Sequence, residues 1–226
     1  GLLSRNYYPV IGRPIPLFEL VYHDCAALYW HLGCPMSLKE ERNNRRYNAK
    51  PQHYLELLSL GRTTYYGTGE GTELEPKFWW KQAPASPNSI EQYDNVFARS
   101  DNGWAESMHP VDAMLKNTYE FLSPTSRAAF YLPITSYHQR DDGLLRTIFG
   151  DGKVDVTVNL GEQSLQYQQT TLPPGSGFLV KTPLFLAFHA TAYRGTTYEK
   201  SALFTVSSLD GKPLEESKKL RVFHGF

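Results

Sequence analysis

Cysteine is scarce in this sequence, which has only Cys25 and Cys34 among its 226 residues. Two cysteines cannot form the disulfide framework of a small secreted scaffold. Neither belongs to a Cys-x-x-Cys unit, so the spacing does not match the common zinc and redox motifs. The sequence leaves open whether the two thiols form a single disulfide or stay reduced in the core.

An excess of charge is also absent, since lysine plus arginine and aspartate plus glutamate number 23 each. Proteins that bind nucleic acid through its phosphates carry a basic face. The densest basic cluster here, in 39–46, contains acidic residues as well and is typical of a solvated surface. We therefore expect no nucleic-acid partner.

Long apolar runs are missing as well. No stretch of 18 apolar residues occurs, so we expect neither a transmembrane helix nor a membrane partner. No signal peptide is recognisable. The chain begins at Gly1 and enters a strand-like segment almost at once, which indicates the interior of a longer polypeptide.

Familiar catalytic motifs are not found. Gly-x-Ser-x-Gly is absent, and the glycines of 67–71 lack the spacing of a P-loop or of a dinucleotide fingerprint. Glycoside hydrolysis needs a pair of carboxylates. Two acidic clusters, one of Glu70, Glu73 and Glu75 and one of Asp141-Asp142, lie in polar loops, and we assign them no catalytic role.

The sequence does contain material for a core, with 41% hydrophobic and 14% aromatic residues. Its composition divides it into three zones. Residues 1–66 hold a strand, a polar stretch and a helix that begins at Lys50-Pro51, which together make one β/α unit. Residues 67–126 form a loop-rich connection with one helix, which we expect to stop at Ser123-Pro124.

Residues 127–226 are β in character. Strict alternation in Val154–Leu160, joined to Leu144–Phe149 through Gly150-Asp151-Gly152, predicts a β-hairpin. Further strands are expected at 128–137, 164–171, 177–181, 184–192, 201–208 and 218–224. Several short strands at near-regular spacing predict an antiparallel sandwich.

The apolar run Ile15–Tyr22 ends abruptly at His23 and Asp24. Such a run predicts a buried strand, and polar groups at the carboxyl end of a buried parallel strand often carry chemistry. The alternative is a buried, hydrogen-bonded histidine followed by a capping aspartate. A metal site is not indicated, because His31 is the only nearby candidate ligand and the spacing matches no known motif.

Tryptophans mark the polar part of the chain. Trp79 and Trp80 lie in the turn-rich zone, and Trp30 lies upstream of it. Sugar rings present apolar C–H faces that pack on aromatic planes, so exposed tryptophans in loops suggest carbohydrate binding. The alternative is that these rings fix loops onto the core or onto a neighbouring domain.

The order of several segments resembles a known family. These segments are IPLFELVYHDC, YLELLSLG, YEFLSP, RTIFGDGKVDVTVNLG and LFTVSSLDGKPLEESKKLRVFHGF. They resemble the C-terminal third of large bacterial proteins similar to glycoside hydrolases, in which a (β/α)8 barrel precedes an antiparallel β-sandwich. The resemblance implies an α+β or mainly β chain, with the terminal β/α unit of that barrel in 1–66 and the sandwich in 127–226.

The resemblance also implies a role in binding sugar at the mouth of the barrel, with the catalytic carboxylates outside this chain. The predicted substrate-binding residues are His23, Asp24, Tyr22, Trp30, Trp79 and Trp80. We expect no cofactor, a carbohydrate ligand, and contact with the remainder of a larger polypeptide or with another chain. A periplasmic or secreted location is expected.

Two other hypotheses stay open. The chain could be a noncatalytic carbohydrate-binding or interaction module, or a free-standing small enzyme that uses His23 and Asp24. Parallel pairing of Ile15–Tyr22 with other strands would favour the glycosidase, and antiparallel pairing within the sandwich would favour the binding module.

Overall fold

The structure is a computed structural model that describes residues 15–25, 29–30, 51–64, 96–99 and 110–226. The helices of this part are α1 (Leu17–Tyr22), α2 (Pro51–Ser59), a 3-10 turn (Val96–Ala98) and α3 (Pro110–Ala129). The first strands are β1 (Tyr29–Trp30) and β2 (Thr63–Thr64), which pair in parallel. The others are β3 (Ile134–Gln139), β4 (Leu144–Phe149), β5 (Val154–Asn159), β6 (Leu165–Tyr167), β7 (Thr170–Leu172), β8 (Phe178–Lys181), β9 (Phe185–Tyr193), β10 (Thr196–Ser208) and β11 (Leu220–His224).

Strands β3 to β11 form one curled antiparallel sheet, similar in shape to half of a barrel. Its strand order is β11-β10-β9-β8-β5-β4-β3, and the β6–β7 hairpin joins it where β7 pairs with β9. The predicted hairpin is confirmed, since β4 and β5 pair in register from Leu144 with Asn159 to Phe149 with Val154. The three turn residues, Gly150, Asp151 and Gly152, have positive φ. Glycine adopts such a backbone without strain, and aspartate is among the residues that tolerate it.

The main core lies between one face of this sheet and the helices. Alternate residues of β4, β5, β8 and β9 point to the helices, as the strand period of two requires. This buried cluster includes Tyr54, Leu55, Leu57 and Leu58 of α2, Met114, Phe121 and Leu122 of α3, Phe97 of the 3-10 turn, and Leu145, Val156, Val158, Phe178, Val180 and Ala187 of the sheet. We call this side the helix face of the sheet, and the opposite side the outer face.

Helix α2 confirms the helix predicted after Lys50. It ends in a Schellman motif, in which Arg62 N–H donates to Leu57 O and Gly61 N–H donates to Leu58 O. Gly61 has φ +60°, and a Cβ at this position would come within 2.9 Å of Ala129 Cβ and of His23 Nε2. Glycine is therefore required here both by the backbone and by the close approach of α3.

Helix α3 does not stop at Ser123-Pro124, so that prediction was wrong. Pro124 lies inside the helix, which continues to Ala129. A proline in a helix interior removes one backbone hydrogen bond. The turns after Pro124 are nevertheless held, because Thr125 and Ala129 are fully buried and the Thr125 hydroxyl donates to Phe121 O at 2.7 Å. Tertiary packing thus outweighs the local cost of the proline.

The predicted fold class is wrong. Ile15–Tyr22 does not form a strand, because Leu17–Tyr22 is the helix α1. The described chain shows no alternation of strands and helices of the (β/α)8 kind. The sandwich is wrong too, since the strands from β3 onward belong to a single sheet, and helices, not a second sheet, cover its buried face.

Helix α1 and the turn after it bury two polar side chains and leave several apolar side chains of the helix exposed. Glu19 and His23 are buried, and Glu19 forms an ion pair with Arg62 at the end of α2. Leu17 and Val21 are 67% and 61% exposed. The apolar run suggested a buried strand because most of its side chains are large and apolar. The ion pair with Arg62 and the burial of His23 turn the opposite side of the segment inward.

Replacing Val21 with serine is therefore expected to change the free energy of unfolding by less than about 0.5 kcal/mol, as for an exposed surface position. The same substitution at Val180, which is fully buried in β8, should cost at least about 2 kcal/mol. Urea denaturation of both variants measures the difference. A loss at Val21 as large as that at Val180 would contradict the exposed helix and favour a buried strand.

Candidate functional site

His23 lies in the core and not at the edge of a site. It is 6% exposed, and its Nδ1–H donates to Leu132 O at 2.8 Å. The ring centroid lies 4.9 Å from that of Phe149. This arrangement matches the alternative noted from the sequence, a buried and hydrogen-bonded histidine.

Asp24 and Tyr22 do not converge with His23. Asp24 is exposed, and its Oδ1 accepts a weak hydrogen bond from Cys25 Sγ at 3.3 Å. Tyr22 is 49% exposed and its ring contacts Phe18. Trp30 belongs to β1, but its ring lies outside the described part of the chain, as do Trp79 and Trp80 entirely. The described structure therefore brings together no site from these six residues.

The structure shows a different cluster, on the outer face of the sheet. Its members are Phe188, Tyr193, Tyr198, Phe204 and His224. The rings of Tyr193 and Phe188 stack with centroids 4.2 Å apart. The rings of Phe204 and His224, which are cross-strand neighbours, stack at 4.2 Å with an interplanar angle of 6°. We call these five residues the outer aromatic cluster.

Strand register explains why these rings meet. Phe188 of β9 lies opposite Phe204 of β10, and Phe204 lies opposite His224 of β11. Directly opposed side chains on one face of an antiparallel sheet are close enough to contact each other. Phe188 is buried under its neighbours at 5% exposure, whereas the other four rings are half-buried and accessible from one side.

An aliphatic row continues the cluster along the same face. Leu186 of β9 lies opposite Val206 of β10, and Val206 lies opposite Val222 of β11. Val222 is 61% exposed. Contiguous apolar surface of this kind on a protein commonly marks a binding site. The outer aromatic cluster and this row together form one surface across β9, β10 and β11.

The β6–β7 hairpin borders this surface. Tyr167 of β6 packs against the cluster around Phe188. Asn159 fixes the two ends of the segment that carries the hairpin: its Nδ2 donates to Gln163 O, Leu172 O and Pro173 O at 2.8–3.1 Å. Its Oδ1 accepts from Gly161 N–H at 2.9 Å. A single buried amide therefore positions one wall of the surface.

Polar side chains occupy the rest of the outer face. The Arg146 guanidinium donates twice to the Asp155 carboxylate, at 3.0 and 2.7 Å, and this pairing raises the pKa of Arg146. Lys181 Nζ donates to Gln168 Oε1 in the hairpin turn. Burial raises the pKa of the Tyr193 and Tyr198 phenols. Both phenols therefore stay protonated at neutral pH. The Tyr193 hydroxyl is buried and has no hydrogen-bond partner among the described residues, so only the Tyr198 phenol is a candidate donor at the surface.

Several carboxylates of the described sheet and helices are held in ion pairs. Asp155, on the outer face, has both carboxylate oxygens engaged by Arg146. The buried carboxylates Glu19 and Glu120 are paired with arginines elsewhere. Burial alone would raise the pKa of Glu120, but hydrogen bonds from Arg221 and Lys116 outweigh this and lower it. Glu120 is therefore ionised at neutral pH and is not a general acid.

Two further features of the described part of the chain concern metal-ligand side chains and membrane-spanning helices. Among these residues, no three His, Cys, Asp or Glu side chains are grouped closely enough to hold a metal ion. No helix in the same ranges is long and apolar enough to cross a membrane.

Sequence reasoning placed the strands of the outer aromatic cluster but missed the cluster itself. Phe185–Tyr193 reads as apolar at nearly every position, because residues on both faces of β9 are large or buried. Without alternation, the sequence does not show which side chains point outward. The sequence signal that could have indicated the cluster is the number of aromatic residues in 185–204, which is larger than one buried face of the sheet needs.

No protein-family model matches the sequence, and no curated protein is significantly similar to it.

Proposed function

We propose that this chain is a noncatalytic carbohydrate-binding module that holds a saccharide on the outer aromatic cluster. The observation that carries the proposal is the set of half-exposed rings of Tyr193, Tyr198, Phe204 and His224 on one face of a rigid sheet. Sugar as the ligand also fits the sequence resemblance to glycoside-hydrolase-like proteins.

Aromatic rings bind sugars through the apolar C–H faces of the pyranose, which pack on the electron-rich face of the ring. The stacking within the cluster fixes the positions of its rings, since Tyr193 lies on Phe188 and His224 lies on Phe204. A pre-organised surface loses little conformational entropy when it binds a ligand. Strands hold this cluster, so it is better defined than rings carried by loops.

Hydrogen-bonding groups next to the rings supply the second requirement of a sugar site. The phenol of Tyr198 stays protonated, and the imidazole of His224 is half-exposed beside Phe204. Saccharide hydroxyls both donate and accept hydrogen bonds, so such groups can orient the ring. An apolar surface with a few placed polar groups is the common composition of ligand sites.

Titration of the isotope-labelled chain with a panel of neutral and acidic oligosaccharides, followed by NMR and calorimetry, tests the proposal. We expect binding that perturbs the resonances of β9, β10 and β11. Tyr198→Ala and His224→Ala should each weaken binding by roughly tenfold, because each removes one stacking ring. Phe204 is left intact because it also covers the buried Phe188.

Tyr131→Ala is the matched control, since Tyr131 is an aromatic residue 79% exposed beyond the end of α3 and outside the cluster. The Tyr131→Ala variant should bind the oligosaccharide with the same affinity as the unchanged chain. Thermal unfolding of each variant separates loss of binding from loss of folding. The proposal fails if no oligosaccharide binds at millimolar concentration, or if Tyr131→Ala weakens binding as much as the cluster variants.

A further inference from the structure

One end of the outer aromatic cluster lies between two hairpin turns. The β9–β10 turn is formed by Arg194 and Gly195, with φ of 46° and 84°, and the β6–β7 turn contains Gln168 with φ of 52°. Arg194 N–H donates to Gln169 O at 2.8 Å, so the two turns are bonded to each other. Both turns therefore lie close to Tyr193, which directly precedes Arg194.

Two cations converge on this end. The Arg194 guanidinium carbon lies 5.5 Å from the centroid of the Tyr193 ring. Lys181 Nζ donates to Gln168 Oε1 in the neighbouring turn. Among the described residues, neither cation has an ion pair with a carboxylate, in contrast to Arg146, whose charge is matched by Asp155. Within the described ranges, this end of the cluster thus presents two cations that no carboxylate approaches within ion-pair distance, although Asp155 lies opposite Lys181 in the strand register.

We infer that the saccharide bound by the outer aromatic cluster is anionic, with its carboxylate or sulfate group held by Arg194 and Lys181. This inference rests on the proposed function. A guanidinium can donate two parallel hydrogen bonds to a carboxylate or sulfate, and an ammonium adds a point charge. The pyranose ring then lies on the half-exposed rings of the cluster, of which Tyr198 is one, while its acid group extends toward the two turns.

The Gln168 amide adds geometric support. It is held between Lys181 and the turn, and its Nε2 donates weakly to Tyr167 OH at 3.5 Å. Lys181 now bonds a neutral oxygen, which an anionic ligand can replace with a stronger, charge-assisted partner. An anionic ligand can therefore bind Lys181 without any rearrangement of the sheet.

Matched ligands test the inference. Galacturonate and galactose tetrasaccharides of the same linkage differ at C6, and a sulfated galactan tetrasaccharide supplies the second anionic source. We expect at least one anionic ligand to bind roughly tenfold or more tightly than the neutral one, with an advantage that falls as NaCl rises from low to high concentration. The comparison of the two anions shows which acid group the site prefers.

Arg194→Asn and Lys181→Gln should each remove most of this advantage. Asparagine is chosen at Arg194 because it tolerates the left-handed backbone of the turn. Lys153→Gln, an exposed lysine in the β4–β5 turn, is the matched control and should keep the advantage. Equal affinities for anionic and neutral ligands, or an advantage that survives both variants, would overturn the inference. Binding of the neutral sugar alone leaves the proposed function standing, whereas absence of all binding removes both.

Discussion

Replacing Asn159 with aspartate is expected to lower the free energy of unfolding by about 4 kcal/mol, a loss at the upper end for a single substitution. The Asn159 amide nitrogen donates to three carbonyl oxygens, those of Gln163, Leu172 and Pro173. Aspartate places an oxygen there instead of the donor. Its charge then faces three acceptors at a site with no solvent exposure, where an unpaired charge is costly.

Urea denaturation of Asn159→Asp against Gln163→Glu measures this effect. Both changes replace an amide by a carboxylate, but the Gln163 side chain is exposed, so its variant should lose less than about 0.5 kcal/mol. Burial among carbonyl oxygens should also raise the pKa of the new aspartate, so the loss should shrink as the pH falls and the carboxyl takes up a proton. A loss below about 1 kcal/mol would contradict the role given to Asn159.

The same variant links stability to the candidate site. Asn159 holds both ends of the segment that carries the β6–β7 hairpin. Loss of these hydrogen bonds should therefore increase amide hydrogen exchange in 165–172 more than in β4, even under conditions where the chain stays folded.

Acidification from pH 6.5 to about 4 is expected to lower the free energy of unfolding by about 3 kcal/mol through His189 alone. His189 on β9 has no solvent exposure, and its Nδ1–H donates to Ser176 O at 2.9 Å. Its Nε2 has no hydrogen-bond partner within the described ranges. The ring lies among Phe97, Phe178 and Phe226, and Arg99 adds a positive charge nearby.

Burial lowers the pKa of His189 from 6.5 to about 4, with Arg99 acting in the same direction. Between these values the unfolded chain binds a proton that the folded chain does not. The stabilising contribution is therefore complete above pH 6.5 and is lost as the pH falls toward 4. Protonation would place an N–H group and a positive charge among the surrounding phenylalanine side chains, where neither is solvated.

Measuring the free energy of unfolding at pH 7, 6, 5 and 4 for the unchanged chain and His189→Gln isolates this contribution. Glutamine can donate to Ser176 O but does not titrate, so the part of the slope due to His189 should disappear. His138→Gln, at an exposed histidine of β3, should keep the full slope. Identical profiles for the unchanged chain and His189→Gln would contradict the assignment.

Local sequence patterns predicted much of the sheet. The β4–β5 hairpin follows from alternation in Val154–Asn159 together with the glycines of its turn, and both signals are local. Helix α2 is equally local, since its apolar spacing and Gly61 specify its face and its end. These elements need no information from distant residues to be recognised.

The errors arose where distant contacts decide the outcome. Ile15–Tyr22 has the composition of a strand, yet the Glu19–Arg62 ion pair and the packing of His23 on Phe149 stabilise a helix there. Pro124 is a local stop signal, yet burial of Thr125 and Ala129 carries α3 past it. In both cases long-range burial outweighed a local preference of about 1–3 kcal/mol.

The same contrast between local signals and long-range contacts applies to the candidate site. The sequence predicted a sugar ligand from aromatic residues and placed it on His23, Asp24, Tyr22 and three tryptophans, whereas the described structure gathers other aromatic residues on the outer face. A sugar ligand is a hypothesis that composition suggests. The outer aromatic cluster could not be found from the sequence, because cross-strand register, and not spacing along the chain, brings Phe188, Phe204 and His224 together.

Local patterns along the sequence located most of the strands in 127–226 and showed that the chain has no excess of charge. That these strands form one curled sheet, that helices cover one face, and that aromatic rings gather on the other is visible only in the folded chain. The physical reason is that alternation and turn residues act within a few positions. Register and facing depend on which buried surfaces fit one another across the whole chain.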